Sequence, residues 1–144
     1  IPETERFEAL RAMRFFREFS DAELWEVLRL SQFSQVQPGT VIMKEDEGGD
    51  SICFIIDGEA QVKKRGRLLN VLTAGECFGE IAVFSAAAGV RSASVTASTT
   101  TSLVTLRARA LRRASDICRM HFYKAFLEVL ATRLSLASAR IANL

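Results

Sequence analysis

The sequence predicts a mainly β fold with flanking helices, a β-sandwich or jelly roll preceded by two short helices and closed by a long one. Three observations predict it. Between Ser31 and Leu106 the chain falls into seven or so short apolar or alternating runs separated by Gly, Pro, Asn and Asp turn chemistry. On either side the apolar spacing lengthens from two to three or four. The balance of 49% hydrophobic and 25% charged residues in 144 is that of one globular domain with a real core.

Residues 3–19 place Phe7, Leu10, Met13, Phe15, Phe16 and Phe19 close to helical spacing. Ser20-Asp21-Ala22-Glu23 is a capping-box signal for a second helix through Leu24, Trp25, Val27, Leu28 and Leu30. Pro38-Gly39 turns the chain into a strand at Thr40–Met43, and Gly48-Gly49-Asp50 precedes the apolar strand Ile52–Ile56. Asp57-Gly58 is a two-residue hairpin signal leading into Ala60–Lys63. Arg65-Gly66 turns again into Leu68–Leu72, which Ala74-Gly75 ends. Ser92–Ala97 and Ser102–Leu106 are two further strands, joined by a polar loop.

Beyond Leu106 the pattern is helical. Arg107–Arg113 is a short basic turn, and Ser115 is placed to cap a helix whose dipole Asp116 favours. That helix has a stripe at Phe122, Phe126, Leu130, Leu134, Ala137, Ile141 and Leu144, with a second edge at Tyr123, Leu127 and Leu136. The surface is wider than one sandwich face needs, so a homodimer seam along this helix is expected. The organisation is a single domain over 1–144: helices over 1–30, the β region over 31–106, and C-terminal helices over 107–144. Opening on Ile1 rather than methionine, the chain is expected to be a piece of a longer protein.

Composition excludes several functions. A net charge of +2 gives no large basic footprint, so no direct nucleic-acid contact is expected. No apolar run reaches membrane-spanning length. Cys53, Cys77 and Cys118 form no C-x-x-C pair and sit in apolar contexts, which reads as reduced, buried thiols and a cytoplasmic protein. The single histidine, His121, lies in an apolar helix and reads as a packed or surface residue. One histidine assembles neither a metal cupin nor a Ser/His/Asp or Cys/His set, so the chain is not read as an enzyme, and neither metal nor cofactor is expected. Arg112-Arg113-Ala114-Ser115 matches a basophilic-kinase pattern, which helix capping explains more simply.

The chemistry concentrates in Phe78-Gly79-Glu80-Ile81-Ala82-Val83-Phe84 and Arg91-Ser92-Ala93-Ser94-Val95. A carboxylate accepts hydroxyl hydrogen bonds, a helix N-terminus favours an anion, and an arginine supplies a charge-assisted fork to phosphate oxygens. Together they suit a ligand carrying both a sugar hydroxyl and a phosphate.

This stretch resembles the phosphate-binding cassette of cyclic-nucleotide-binding domains, over 78–95. The run Pro38–Ile42, then Gly49-Asp50, then Phe54–Ala60 is similar to that family's eight-stranded β-roll, a double-stranded β-helix. The closing helix resembles that of catabolite-activator-type regulators. The resemblance implies that Glu80 accepts a ribose 2′-hydroxyl and Arg91 pairs with the cyclic phosphate. Phe78, Gly79, Ile81, Ala82 and Ala93 would shape the cassette, with backbone N–H groups of Gly79, Ile81 and Ala82 offered to the ligand. Ser92 would add a hydroxyl to the phosphate or base edge, and Ser138 one to the base. Glu80 and Arg91 stand a residue or two further apart than in compact cassettes, with Ser85–Gly89 filling the gap.

The expected function is therefore regulatory: binding of cyclic AMP, favoured over cyclic GMP, repositions the C-terminal helix. Two alternatives are the sensor half of an activator-type transcription regulator without its DNA-binding domain, and a degenerate β-roll acting only as a dimerisation scaffold.

Overall fold

A computed structural model describes residues 2–80 and 90–142. Two helices open the chain, α1 (Glu3–Ala12) and α2 (Asp21–Leu30), with a 3-10 turn at Arg14–Phe16 between them. The helical spacing expected over 3–19 therefore breaks at Met13, whose backbone is extended. The capping box at α2 is complete: the Ser20 hydroxyl accepts from Glu23 N–H, and the Glu23 carboxylate accepts from Ser20 N–H.

Among the described residues eight strands follow: β1 (Ser31–Val36), β2 (Val41–Met43), β3 (Ser51–Asp57), β4 (Ala60–Lys64), β5 (Arg67–Leu72), β6 (Cys77–Phe78), β7 (Ser94–Ala97) and β8 (Thr101–Arg107). They form two four-stranded antiparallel sheets, ordered β1-β8-β3-β6 and β2-β7-β4-β5. β1 pairs with β8, β2 with β7, β3 with β6 and β4 with β5. This is the pattern of one long hairpin wrapped on itself, a jelly roll.

The expected hairpin at Asp57-Gly58 is not one. β3 and β4 lie in different sheets, and Gly58 (φ +102°) turns a corner between them. A Cβ there would come 2.6 Å from the Thr100 carbonyl oxygen. The tight hairpin is at Arg65-Gly66, where both residues have positive φ (50° and 77°), as a type I′ turn requires.

Alternation along β3 explains the two cores. Ile52 and Phe54 face the helices, whereas Cys53 and Ile55 face the inside of the roll, and all four are buried. The helical layer closes with α3 (Ala108–Leu111) and α4 (Asp116–Ala142). Phe15, Phe16 and Phe19 meet Phe122 and Phe126 of α4, and Phe15 also packs on Phe54 of β3, ring centroids 4.8–5.9 Å apart. Polar ties reinforce this joint: His121 Nδ1 lies 2.7 Å from Glu23 Oε2, and Arg17 donates to Glu128 at 3.0 Å. The Ser115 hydroxyl accepts from Cys118 N–H at 3.3 Å and donates to Glu26, the capping role expected of it.

The single apolar stripe read along the last helix divides in two. Cys118, Phe122 and Phe126 are buried against the domain, and Val129 and Arg133 continue that face half-buried. Leu130, Leu134, Ala137 and Ile141 lie on a second, exposed face with Tyr123 and Leu127. From Leu134 to Ala142 every residue is exposed, so the last turns stand off the roll. Leu144 lies outside the described residues.

Candidate functional site

Strand pairing builds the site. β6 brings Cys77 and Phe78 against Phe54 and Cys53 of β3, so the residues after Phe78 emerge beside Ser51, at the start of β3. Gly79 has φ +92°, and a Cβ on it would stand 2.6 Å from the Ser51 carbonyl oxygen and 3.0 Å from Arg91 Nη1. Only glycine fits that approach. Gly49 serves the same purpose from the other side, since its Cβ would come 2.7 Å from Arg91 Nη2.

Gly79 and Arg91 line an open-mouthed cavity of about 200 Å³. Phe78, Gly79, Glu80, Arg91, Ser92 and Ala93 all border it, although distant in sequence. Met43, Val62, Leu72 and Val95 supply an apolar wall from the β2-β7-β4-β5 sheet, and Asn70 a polar group. Ile81 and Ala82 lie outside the described residues. Ser138 is exposed and is not among the lining residues. It sits five residues beyond Arg133, roughly 7.5 Å further along the helix.

The electrostatics centre on two buried charges. Arg91 is only 6% exposed, and its guanidinium donates to the carbonyls of Ser51 (3.0 Å) and Gly79 (3.2 Å). Among the described residues no carboxylate pairs with it. A desolvated cation held, among the described residues, by carbonyl dipoles is poised to receive an anion. Glu80, 2% exposed, is met by Arg133 of α4, whose Nη1 contacts Glu80 Oε1 and whose Nη2 donates to the Cys77 carbonyl at 2.6 Å. Among the described residues the long helix thus reaches the cavity through Arg133.

Arg133 is the residue that sequence reasoning missed as a participant. The signal was present: Phe122, Phe126, Val129 and Arg133 follow one helical face at intervals of four, three and four. Burial also raises the thiol pKa of Cys77, to about 12, with the nearby Glu80 charge adding to the shift. The three cysteines are buried and unbridged. Among the described residues no group of three or more His, Cys, Asp or Glu could hold a metal ion.

The family pattern described as "Cyclic nucleotide-binding domain" matches residues 33–117, more than half of the chain and all the described strands after β1. The chain belongs to the cyclic-nucleotide-binding domain family. Among curated relatives, it is 34% identical over 102 residues to a cyclic nucleotide-gated potassium channel of Rhizobium etli, an alignment covering 71% of this chain and 28% of the channel. It is 38% identical over 73 residues to a cAMP-dependent protein kinase regulatory subunit of Yarrowia lipolytica, covering 49% of this chain and 19% of that protein. A cGMP-dependent protein kinase of Eimeria tenella is 32% identical over 79 residues, covering 55% of this chain and 8% of the kinase. These alignments span from 8% to 28% of the length of the three relatives. In fold, it matches a crystal structure of a cyclic nucleotide-binding domain from Methylobacillus flagellatus with a TM-score of 0.82, at 23% identity over 96% of this chain and 82% of that one.

Proposed function

We propose that the cavity binds cyclic AMP in preference to cyclic GMP, and that α4 reports its occupancy to an attached or partner module. The observation that carries this reading is Arg91, a buried guanidinium with no counter-charge among the described residues. In the proposed complex Arg91 turns its fork to the cyclic phosphate, and Ser92 adds a hydroxyl. Glu80 accepts the ribose 2′-hydroxyl, and Phe78, Gly79 and Ala93 shape the wall. Ile81 and Ala82 add backbone N–H groups. Ser138 reaches the base only if α4 moves inward.

The Glu80–Arg133 pair supports the output role of α4. A sugar hydroxyl arriving at Glu80 must share the carboxylate with Arg133 or displace it. Either event is felt by the helix, and a helix with different contacts in the two states shifts between them on binding. The preference for adenine rests on acceptors. Guanine presents paired N–H donors, and the only carboxylate among the described lining residues, Glu80, is already engaged by Arg133. The Asn70 side-chain oxygen, Oδ1, accepts from Val71 N–H. Adenine makes no such demand, and the expected margin is about tenfold or less.

The outer face of α4 supports a homodimer. Met120, Tyr123, Leu127, Leu130, Leu134, Ala137 and Ile141 alternate intervals of three and four, the spacing of a two-stranded coiled coil. Leu127, Leu134 and Ile141 are 67–70% exposed. The occupant proposed is the same helix of a second copy. Three unbridged thiols suit the cytoplasm.

Calorimetric titration with cyclic AMP and cyclic GMP side by side tests the ligand. Heat with both and tighter binding of cyclic AMP is expected. A preference for cyclic GMP overturns the choice of base, and no heat with either leaves a dimerising scaffold.

A further inference from the structure

We infer that the β4–β5 hairpin is a docking element for an anionic lipid surface. Its tip carries Lys63, Lys64, Arg65 and Arg67, all exposed. None of these side chains forms an ion pair with a carboxylate among the described residues. From Ala60 to Gly75 the chain holds no acidic residue. The Glu45 carboxylate accepts from Arg65 N–H at 2.9 Å and offsets one of the four positive charges at the tip. In a chain whose net charge is +2, the three that remain leave the rest of the molecule slightly acidic. Such a charge distribution orients the hairpin toward a negative surface and the remainder away from it.

Apolar groups stand directly behind the cations. Val62 faces Asn70 and Lys63 faces Leu68, so Leu69 is the extra residue of a β-bulge and has no cross-strand partner. Leu68 and Leu69 are each 54% exposed, and Val71 is 38% exposed. β5 is the edge strand of its sheet, and the Arg65-Gly66 turn fixes the tip's shape. An aqueous polyanion would engage the cations and leave the leucines in water. A lipid surface takes both, with cations among the headgroups and leucines at the acyl boundary. No described helix is long and apolar enough to cross a membrane, so the contact is peripheral.

The test is co-sedimentation of the full chain with phosphatidylcholine vesicles, with and without phosphatidylserine. Binding to the anionic vesicles alone, weakened by added salt, is expected. Each cation near such a surface contributes about a fivefold factor, so Lys64→Glu/Arg67→Glu should lower partitioning by well over tenfold. Leu68→Ser/Leu69→Ser should lower it several-fold while leaving retention on heparin unchanged. All four positions are exposed, and melting curves of the variants should overlay the parent's. Failure to bind the anionic vesicles overturns the inference. So does unchanged partitioning of the leucine variant, or equal affinity for duplex DNA, either of which would mark a general polyanion patch.

Discussion

Replacing Arg133 by methionine keeps the apolar stem of the side chain and removes the cation facing Glu80. The carboxylate is 2% exposed and keeps no other cationic partner among the described residues. Breaking a fully buried ion pair costs about 3–5 kcal/mol, because the remaining charge stays desolvated. The Arg133 side chain is 39% exposed, so water screens part of its attraction, and the expected cost falls to about 1–3 kcal/mol. For a chain of this size that lowers the melting temperature by roughly 3–10 °C. Thermal and denaturant unfolding of the two proteins measure it. The double variant Glu80→Gln/Arg133→Met should recover at least about 1 kcal/mol relative to the sum of the single changes. Strict additivity, or an Arg133→Met protein as stable as its parent, would refute the link between α4 and the cassette.

Arg91→Ala should weaken cyclic-nucleotide binding by about 2–5 kcal/mol, at least tenfold, as titration would show. It should also lower stability by about 1 kcal/mol, since the Ser51 and Gly79 carbonyls lose their donor. Leu134→Glu places a charge in the proposed seam at a position 69% exposed in the single chain. Sedimentation should show the variant monomeric with its melting curve intact once diluted below dimer concentrations, and a persistent dimer would place the interface elsewhere. Burial raises the Cys118 thiol from 9.0 to about 12, with Glu26 and Glu23 adding to the shift. The unfolded chain then releases this proton first. Its contribution is fully present below about pH 9 and is lost as pH rises toward 12, at up to about 1.4 kcal/mol per pH unit. Cys118→Ala, compared with the parent by denaturation across that range, should fall less steeply, and equal slopes would refute the assignment.

Much of the fold was legible because its cues are local. The Ser20 capping box, the Arg65-Gly66 turn and the Ser115 cap involve residues within a few positions of each other. Asp57-Gly58 misled for the same reason: turn chemistry says that the chain bends, not which sheet the next strand joins. Glu80 and Arg91 stood out because a short motif brackets both. Met43, Asn70 and Leu72 could not, since they border the cavity only through the pairings of β2, β4, β5 and β7. Arg133 was hidden for another reason. A stripe counted by apolar residues passes over the cation that ends the buried face of α4, and only the packed helix shows where that face leads.

The end-to-end strand pairing also sets an order of assembly. Ser31 faces Leu106, and Val36 faces Thr101, so the first and last strands of the roll, the farthest apart in the chain, are paired with each other. β4 and β5 need only a two-residue turn to meet. Because distant segments lose more chain entropy on closing, the hairpin tip can form at once, while β1 must wait for β8. The phenylalanines between the first two helices must wait longer still, for Phe122 and Phe126. During synthesis the N-terminal aromatic residues therefore stay without their packing partners until nearly the whole of this chain has left the ribosome. The final folding step joins both ends at once, and it is the step that seats α4 beside the cassette.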